Sequence, residues 1–133
     1  MPHRWAHWGG TRSRALWVND DGLIVGESTD ANEHELAFLF ADGQMIGLPA
    51  LPSTNPEAAA LAVNISGQIV GYSVNASGKF RAVRWIGGGP AKDIAPMWQG
   101  EAMATAINDA GQICPVMFWS VAELCRRRSV AGR

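Results

Sequence analysis

The chain is poor in the residues that most often announce a chemistry. It carries 2 cysteines and 3 histidines in 133 residues, and Cys114 and Cys125 make neither a C-x-x-C pair nor a Cys/His ligand spacing. A cysteine-built metal or redox centre is therefore not expected; one disulfide and two free thiols both remain open. Charge of one sign is also missing, since 11 Lys and Arg stand against 12 Asp and Glu for a net charge of −1. That balance gives no general attraction to a polyanion and argues against nucleic acid as a partner. No long apolar run exists: the opening MPHRWAHWGGTRSRALW lacks the roughly 7–15-residue apolar stretch of a signal peptide, and nothing approaches a membrane span. The expectation is a soluble chain whose secretion needs a leader or a larger parent.

Motifs of catalysis are equally absent. There is no G-x-S-x-G, no Ser/His/Asp grouping and no phosphate loop; IGGGPAKD lacks the strand-to-helix setting and the Lys-Ser/Thr ending. NDDG and NDAG lack the alternating oxygen ligands and distal Glu of a calcium loop. His3 and His7 have zinc spacing only on a helix, and their segment reads as strand or terminus. No catalytic, metal or cofactor residue is expected, and no carboxylate pair is singled out for glycoside hydrolysis.

What the chain does have is repetition. WVNDDGLIVGES (17–28), AVNISGQIVGYS (62–73) and AINDAGQI (106–113) begin alike, and Asn19, Asn64 and Asn108 are 45 and 44 residues apart. A second phrase keeps the same step, LAFLFADG at 36–43 and RAVRWIGG at 81–88. A period near 45 is the mark of an array of supersecondary units. Phe40 and Trp85 each follow their asparagine by 21 residues, whereas Trp119 follows Asn108 by 11. Both ends are abbreviated, and the middle holds the full units.

Within a unit, ALAV, GQIVGYS, FRAVRW and LAFLF are short, β-branched or aromatic, and bounded by Gly, Asn, Asp and Ser, as strands joined by hairpins are. The Asn-x-x-Gly phrase predicts a type I turn that starts at Asn19, Asn64 or Asn108 and closes on Gly22, Gly67 or Gly111 at positive φ. The runs Leu23–Gly26 and Ile69–Gly71 are apolar on both faces, which predicts cover on two sides, with Gly26 and Gly71 marking a close backbone approach. The fold class is all-β: tandem antiparallel repeats of about 45 residues, propeller-blade-like or an open stacked array, over 1–119. The repeat phrases fall at 15–28, 62–73 and 106–113. A basic tail follows over 120–133, where Ser120 and Glu123 form a capping box ahead of Arg126–Arg128 and predict a short helix.

These phrases, with GKFRAVRWIGG and KDIAPM, resemble the bacterial HAF repeat over roughly residues 4–119. The His-Ala-Phe triplet itself is replaced by Leu36-Ala37-Phe38 and Arg81-Ala82-Val83. The resemblance implies a β-rich repeat protein that is extracellular or at the cell surface, with no catalytic residues assigned. Its bacterial setting weighs against glycosylation at Asn64-Ile65-Ser66 and Asn75-Ala76-Ser77.

Special function belongs where the units differ. Trp8, Trp85 and Trp119 share the aromatic position of Phe40 and read as core. Trp17 stands where the other units have Ala62 and Ala106, and Trp98 lies in the connection APMWQG; both are candidate stacking platforms for a sugar or a partner protein. The unlike loops at 29–35, 50–57 and 96–101 are the candidate recognition surface. The expected function is a non-catalytic binding or structural module, a piece of something larger or self-associating, with a surface glycan or protein as partner. The alternative is a carbohydrate-active enzyme of propeller type assembled from several chains.

Overall fold

The computed structural model describes residues 9–118, and over these the chain is all-β. Ten strands run in order: β1 Gly9–Val18, β2 Ile24–Asp30, β3 Glu35–Ala41, β4 Gln44–Gly47, β5 Ala58–Val63, β6 Gln68–Val74, β7 Phe80–Ile86, β8 Lys92–Asp93, β9 Glu101–Ile107 and β10 Ile113–Phe118. They form three small antiparallel sheets: β1-β2-β3-β4, β5-β6-β7-β8, and β9 paired with β10. No barrel closes. The helix expected at 120–128, Trp8, Trp119, His3, His7 and Cys125 lie outside the described residues.

Turn chemistry makes the hairpins. At Asn19 the side-chain oxygen accepts the N–H groups of Asp21 and Leu23, while Gly22 N–H returns to the Asn19 carbonyl. Asn64 and Asn108 repeat this pattern, and Gly22, Gly67 and Gly111 sit at φ of 80°, 82° and 85°. The same turn joins β2 to β3 at Asp30 and β6 to β7 at Asn75. Glu33 fills the glycine position of the Asp30 turn at φ 63°, a left-handed conformation that strains a side chain. Glu33→Gly should stabilise the fold by about 0.5 kcal/mol, the relief of strain outweighing glycine's larger unfolded entropy. A urea midpoint that rises at constant slope checks this. A fall would mean that the Thr11 hydroxyl bond to the Glu33 carboxylate outweighs the strain.

Each sheet carries a bulge ahead of its asparagine turn. Ala15 faces Gly26 and Trp17 faces Val25, leaving Leu16 over; Ala60 faces Gly71 and Ala62 faces Val70, leaving Leu61 over. The third sheet skips Thr105 in the same way. At these bulges a Cβ on Gly26 or Gly71 would collide with the carbonyl of Arg14 or Ala59, so the close backbone is the adjacent strand of the same sheet. Pro115 holds the corresponding place on β10, the edge strand of the described sheet, where proline is tolerated.

The second sheet is the middle layer. Val63, Ile69, Val83 and Trp85 pack with Val25, Ala37 and Leu48 of the first sheet and its exit. Ala62, Val70 and Ala82 pack with Ala102 and Ala104 of the third. Strand alternation thus buries both faces of β6, as its apolar run requires. In the outer first sheet the cover is uneven: Val25 is buried while Ile24 is half-buried, and Phe40 is half-buried where Trp85 is fully enclosed.

Candidate functional site

The three asparagine turns come together at one end of the three sheets. The Asn19 amide donates to the Asn64 carbonyl at 2.8 Å, and the Asn64 amide donates to the Asn108 carbonyl at 3.1 Å. One residue on, the Ile65 N–H donates to the Asp109 carboxylate at 2.9 Å. The sheets are therefore stitched by hydrogen bonds here as well as packed. Asp30 and Asn75 make the same local turn without a cross-sheet bond, which separates two roles. The side-chain oxygen builds the turn, and at Asn19 and Asn64 the side-chain nitrogen reaches the neighbouring sheet.

Beside this ladder lies an open groove of about 280 Å³, lined by Trp17, Val18 and Asp20 from the first sheet, Val63 and Ile65 from the second, and Ile107 and Asp109 from the third, with all three asparagines. The Trp17 indole is 52% exposed at its margin. Its neighbours offer carboxylates, amides and peptide groups, so the groove pairs an aromatic face with directional polar groups. Among the sequence candidates, Trp17, Asn19, Asn64 and Asn108 are thus brought together, while Gly22, Gly67 and Gly111 close the turns behind them.

Trp98 does not line this groove. Its indole is half-buried against the cluster of Ala62, Val70 and Ala102, and its ring N–H donates to the Glu101 carbonyl at 2.8 Å. The connection around it is held by buried Arg81, which bonds the Asp93 carboxylate and the Ala95 and Gly100 carbonyls. The loop at 96–101 is accordingly a built part of the scaffold.

A second concavity joins the other two loops. Arg12, Glu33, His34, Glu35, Asn55, Pro56 and Glu57 line a cleft of about 250 Å³ between the first and second sheets. Arg12 pairs with Glu35 at 2.6 Å, and nearby Arg14 pairs with buried Glu27. Burial pushes the Glu57 carboxyl up from its ordinary value, and the charges of Glu35 and Glu27 add to the rise. Burial raises the Tyr72 hydroxyl likewise, with Glu27 as the next cause. Sequence reading placed 29–35 and 50–57 on a common surface but named no carboxylate, because their convergence depends on how two sheets stack.

A raised folded-state pKa means that the native state holds a proton the unfolded chain has released, so Glu57 lowers stability as pH climbs from about 4.5 through its folded value. Glu57→Gln should therefore raise the melting temperature near neutral pH and have little effect in acid; equal shifts at both pH values would assign the effect to packing instead.

Among the described residues no group of three or more His, Cys, Asp or Glu is placed to hold a metal ion, and no helix is long and apolar enough to cross a membrane. Cys114 is exposed on β10. The chain matches no protein-family model, no curated protein and no solved structure.

Proposed function

We propose that this chain is a non-catalytic β-repeat module, built of tandem blade-like units in the manner of HAF repeats, that binds a surface glycan at the groove beside the asparagine ladder. The observation that carries this reading is the half-exposed Trp17 at the margin of a groove to which all three sheets contribute hydrogen-bonding turns. An indole presents a flat apolar face to a sugar ring, and fixed amide and carboxylate groups read its hydroxyls. The steps of 45 and 44 residues between asparagines and the equivalent turns support the repeat reading. An extracellular or cell-surface address follows from the resemblance. The test is a glycan array followed by titration of the best binder: Trp17→Ala should weaken it several-fold, at about the cost of one stacked aromatic ring, while leaving the melting temperature nearly unchanged. An unaltered affinity removes the groove from consideration.

The acidic cleft favours a second reading, a carbohydrate-active enzyme of propeller type. Glycoside hydrolysis uses a carboxyl held up by burial together with a second carboxyl group, and Glu57, raised by burial, lines the same cleft as Glu35. This reading requires turnover of some glycan that Glu57→Gln abolishes.

A further inference from the structure

The groove beside the asparagine ladder carries charge of one sign. Asp20 and Asp109 line it from the first and third sheets, and no lysine, arginine or histidine is among its lining residues. The chain as a whole is nearly balanced at −1, so this bias belongs to the groove rather than to the surface in general.

The ladder decides which hydrogen-bonding capacity is left for a ligand. Each asparagine oxygen already accepts two peptide N–H groups of its own turn. The nitrogens are engaged too: Asn19 serves the Asn64 carbonyl, Asn64 serves Gln68 and the Asn108 carbonyl, and Asn108 turns back onto Gln112. The carboxylates stand differently. Asp109 spends one oxygen on the Ile65 N–H, and Asp20 takes no hydrogen bond from a described residue; both are exposed. A carboxylate only accepts, so what the groove has to spare is acceptor capacity that carries negative charge. An ammonium group matches it, with three donors, no acceptor and a positive charge. The Trp17 face favours the same group, since the ring quadrupole attracts a cation laid over it.

Resting on the reading of this groove as a glycan site, we infer that its ligand is a glycan of amino sugars with free amines. A sugar ring lies on Trp17, and its ammonium substituents donate to the carboxylates of Asp20 and Asp109. N-acetylation removes the charge and two of the three donors, so the acetylated form fits less well. A uronate sugar meets the same carboxylates with like charge and is rejected.

Isothermal titration of the full chain with a glucosamine oligosaccharide, its N-acetylated counterpart and an oligouronate of equal length tests this. The amine form should bind about tenfold more tightly than the acetylated one, as a charge-assisted bond is worth, and the uronate should be weakest. Raising the salt concentration should narrow the preference, because both carboxylates are exposed. The double variant Asp20→Asn with Asp109→Asn keeps the acceptor oxygen that the Ile65 N–H needs and removes the charges. It should melt cooperatively and bind the amine and acetylated forms alike. Asp21→Asn, beside the groove but not lining it, should keep the whole preference. A wild-type chain that binds the amine form no better than a neutral glycan, with Trp17→Ala still weakening both, overturns the charge selection and leaves the glycan site standing. A preference that survives the double variant, or that Asp21→Asn abolishes equally, overturns the assignment to these two carboxylates. Binding of no glycan, charged or neutral, through Trp17 removes the glycan reading and this selection with it.

Discussion

Trp85→Ala should cost about 3–5 kcal/mol, enough to unfold a domain of this size under mild conditions. Trp85 is fully enclosed, the largest fully buried side chain described, and it lies in the cluster that joins the first two sheets. Its ring N–H donates to the Pro49 carbonyl at 2.8 Å, fixing the connection that leaves β4. Truncation removes the indole's burial, leaves a cavity between two sheets that cannot collapse independently, and strands a carbonyl that no other side chain is seen to serve. Trp85→Phe separates these terms, keeping most of the apolar area while losing the hydrogen bond, and should cost about 1–2 kcal/mol. Urea unfolding of both variants measures the difference. A cost below about 1 kcal/mol for the alanine variant would show that the two sheets are held by something other than this cluster.

That prediction rests on a residue whose role is legible in the sequence, since Trp85 follows its asparagine at the same interval as Phe40. The interval does not say how deeply each is buried: Trp85 belongs to the middle sheet and Phe40 to an outer one. The same limit applies to the apolar runs. Ile69 and Val70 are both buried because their sheet has neighbours on both sides, while Ile24, in an outer sheet, is half-buried. Local chemistry is readable because it is local. An oxygen on residue one and a tolerated positive φ on residue four define the Asn-x-x-Gly turn.

The turns at Asp30 and Asn75 obey the same chemistry but are harder to see. One replaces glycine with Glu33, and the other hides in a sequence that reads first as a glycosylation site. The convergence of Glu35 with Glu57, and of Trp17 with Asp109, has no local signature at all. Those side chains come from different sheets, so only the stacking of sheets brings them into one groove or cleft. One clue to the ladder does exist in the sequence: the 45-residue phrase uses asparagine three times and never aspartate, although aspartate caps the same turn at position 30.

That distinction between oxygen and nitrogen yields a graded series. Asn64→Ala should cost about 3 kcal/mol, Asn19→Ala about 1–2, and Asn108→Ala about 1 or less. Asn64 is 3% exposed; its oxygen accepts the N–H groups of Ser66 and Gln68, and its nitrogen serves Gln68 and the Asn108 carbonyl. Alanine there strands two partly buried peptide donors and cuts the stitch between the second and third sheets. Asn19 makes the turn and one stitch, and Asn108 makes an exposed turn whose nitrogen stays within its own sheet. Aspartate isolates the stitch. Asn64→Asp keeps the turn acceptor but sets a carboxylate against the Asn108 carbonyl and the Gln68 side-chain oxygen, so it should be nearly as damaging as alanine. Asn75→Asp, in a turn that only needs an oxygen, should change stability by less than about 0.5 kcal/mol. If Asn64→Asp were as harmless as Asn75→Asp, the Asn64 nitrogen would carry no load and the second and third sheets would be joined by packing and the remaining cross-sheet bonds. The expected split, with aspartate tolerated at 75 and rejected at 64, would instead show that the ladder holds the three sheets in the arrangement on which the groove depends.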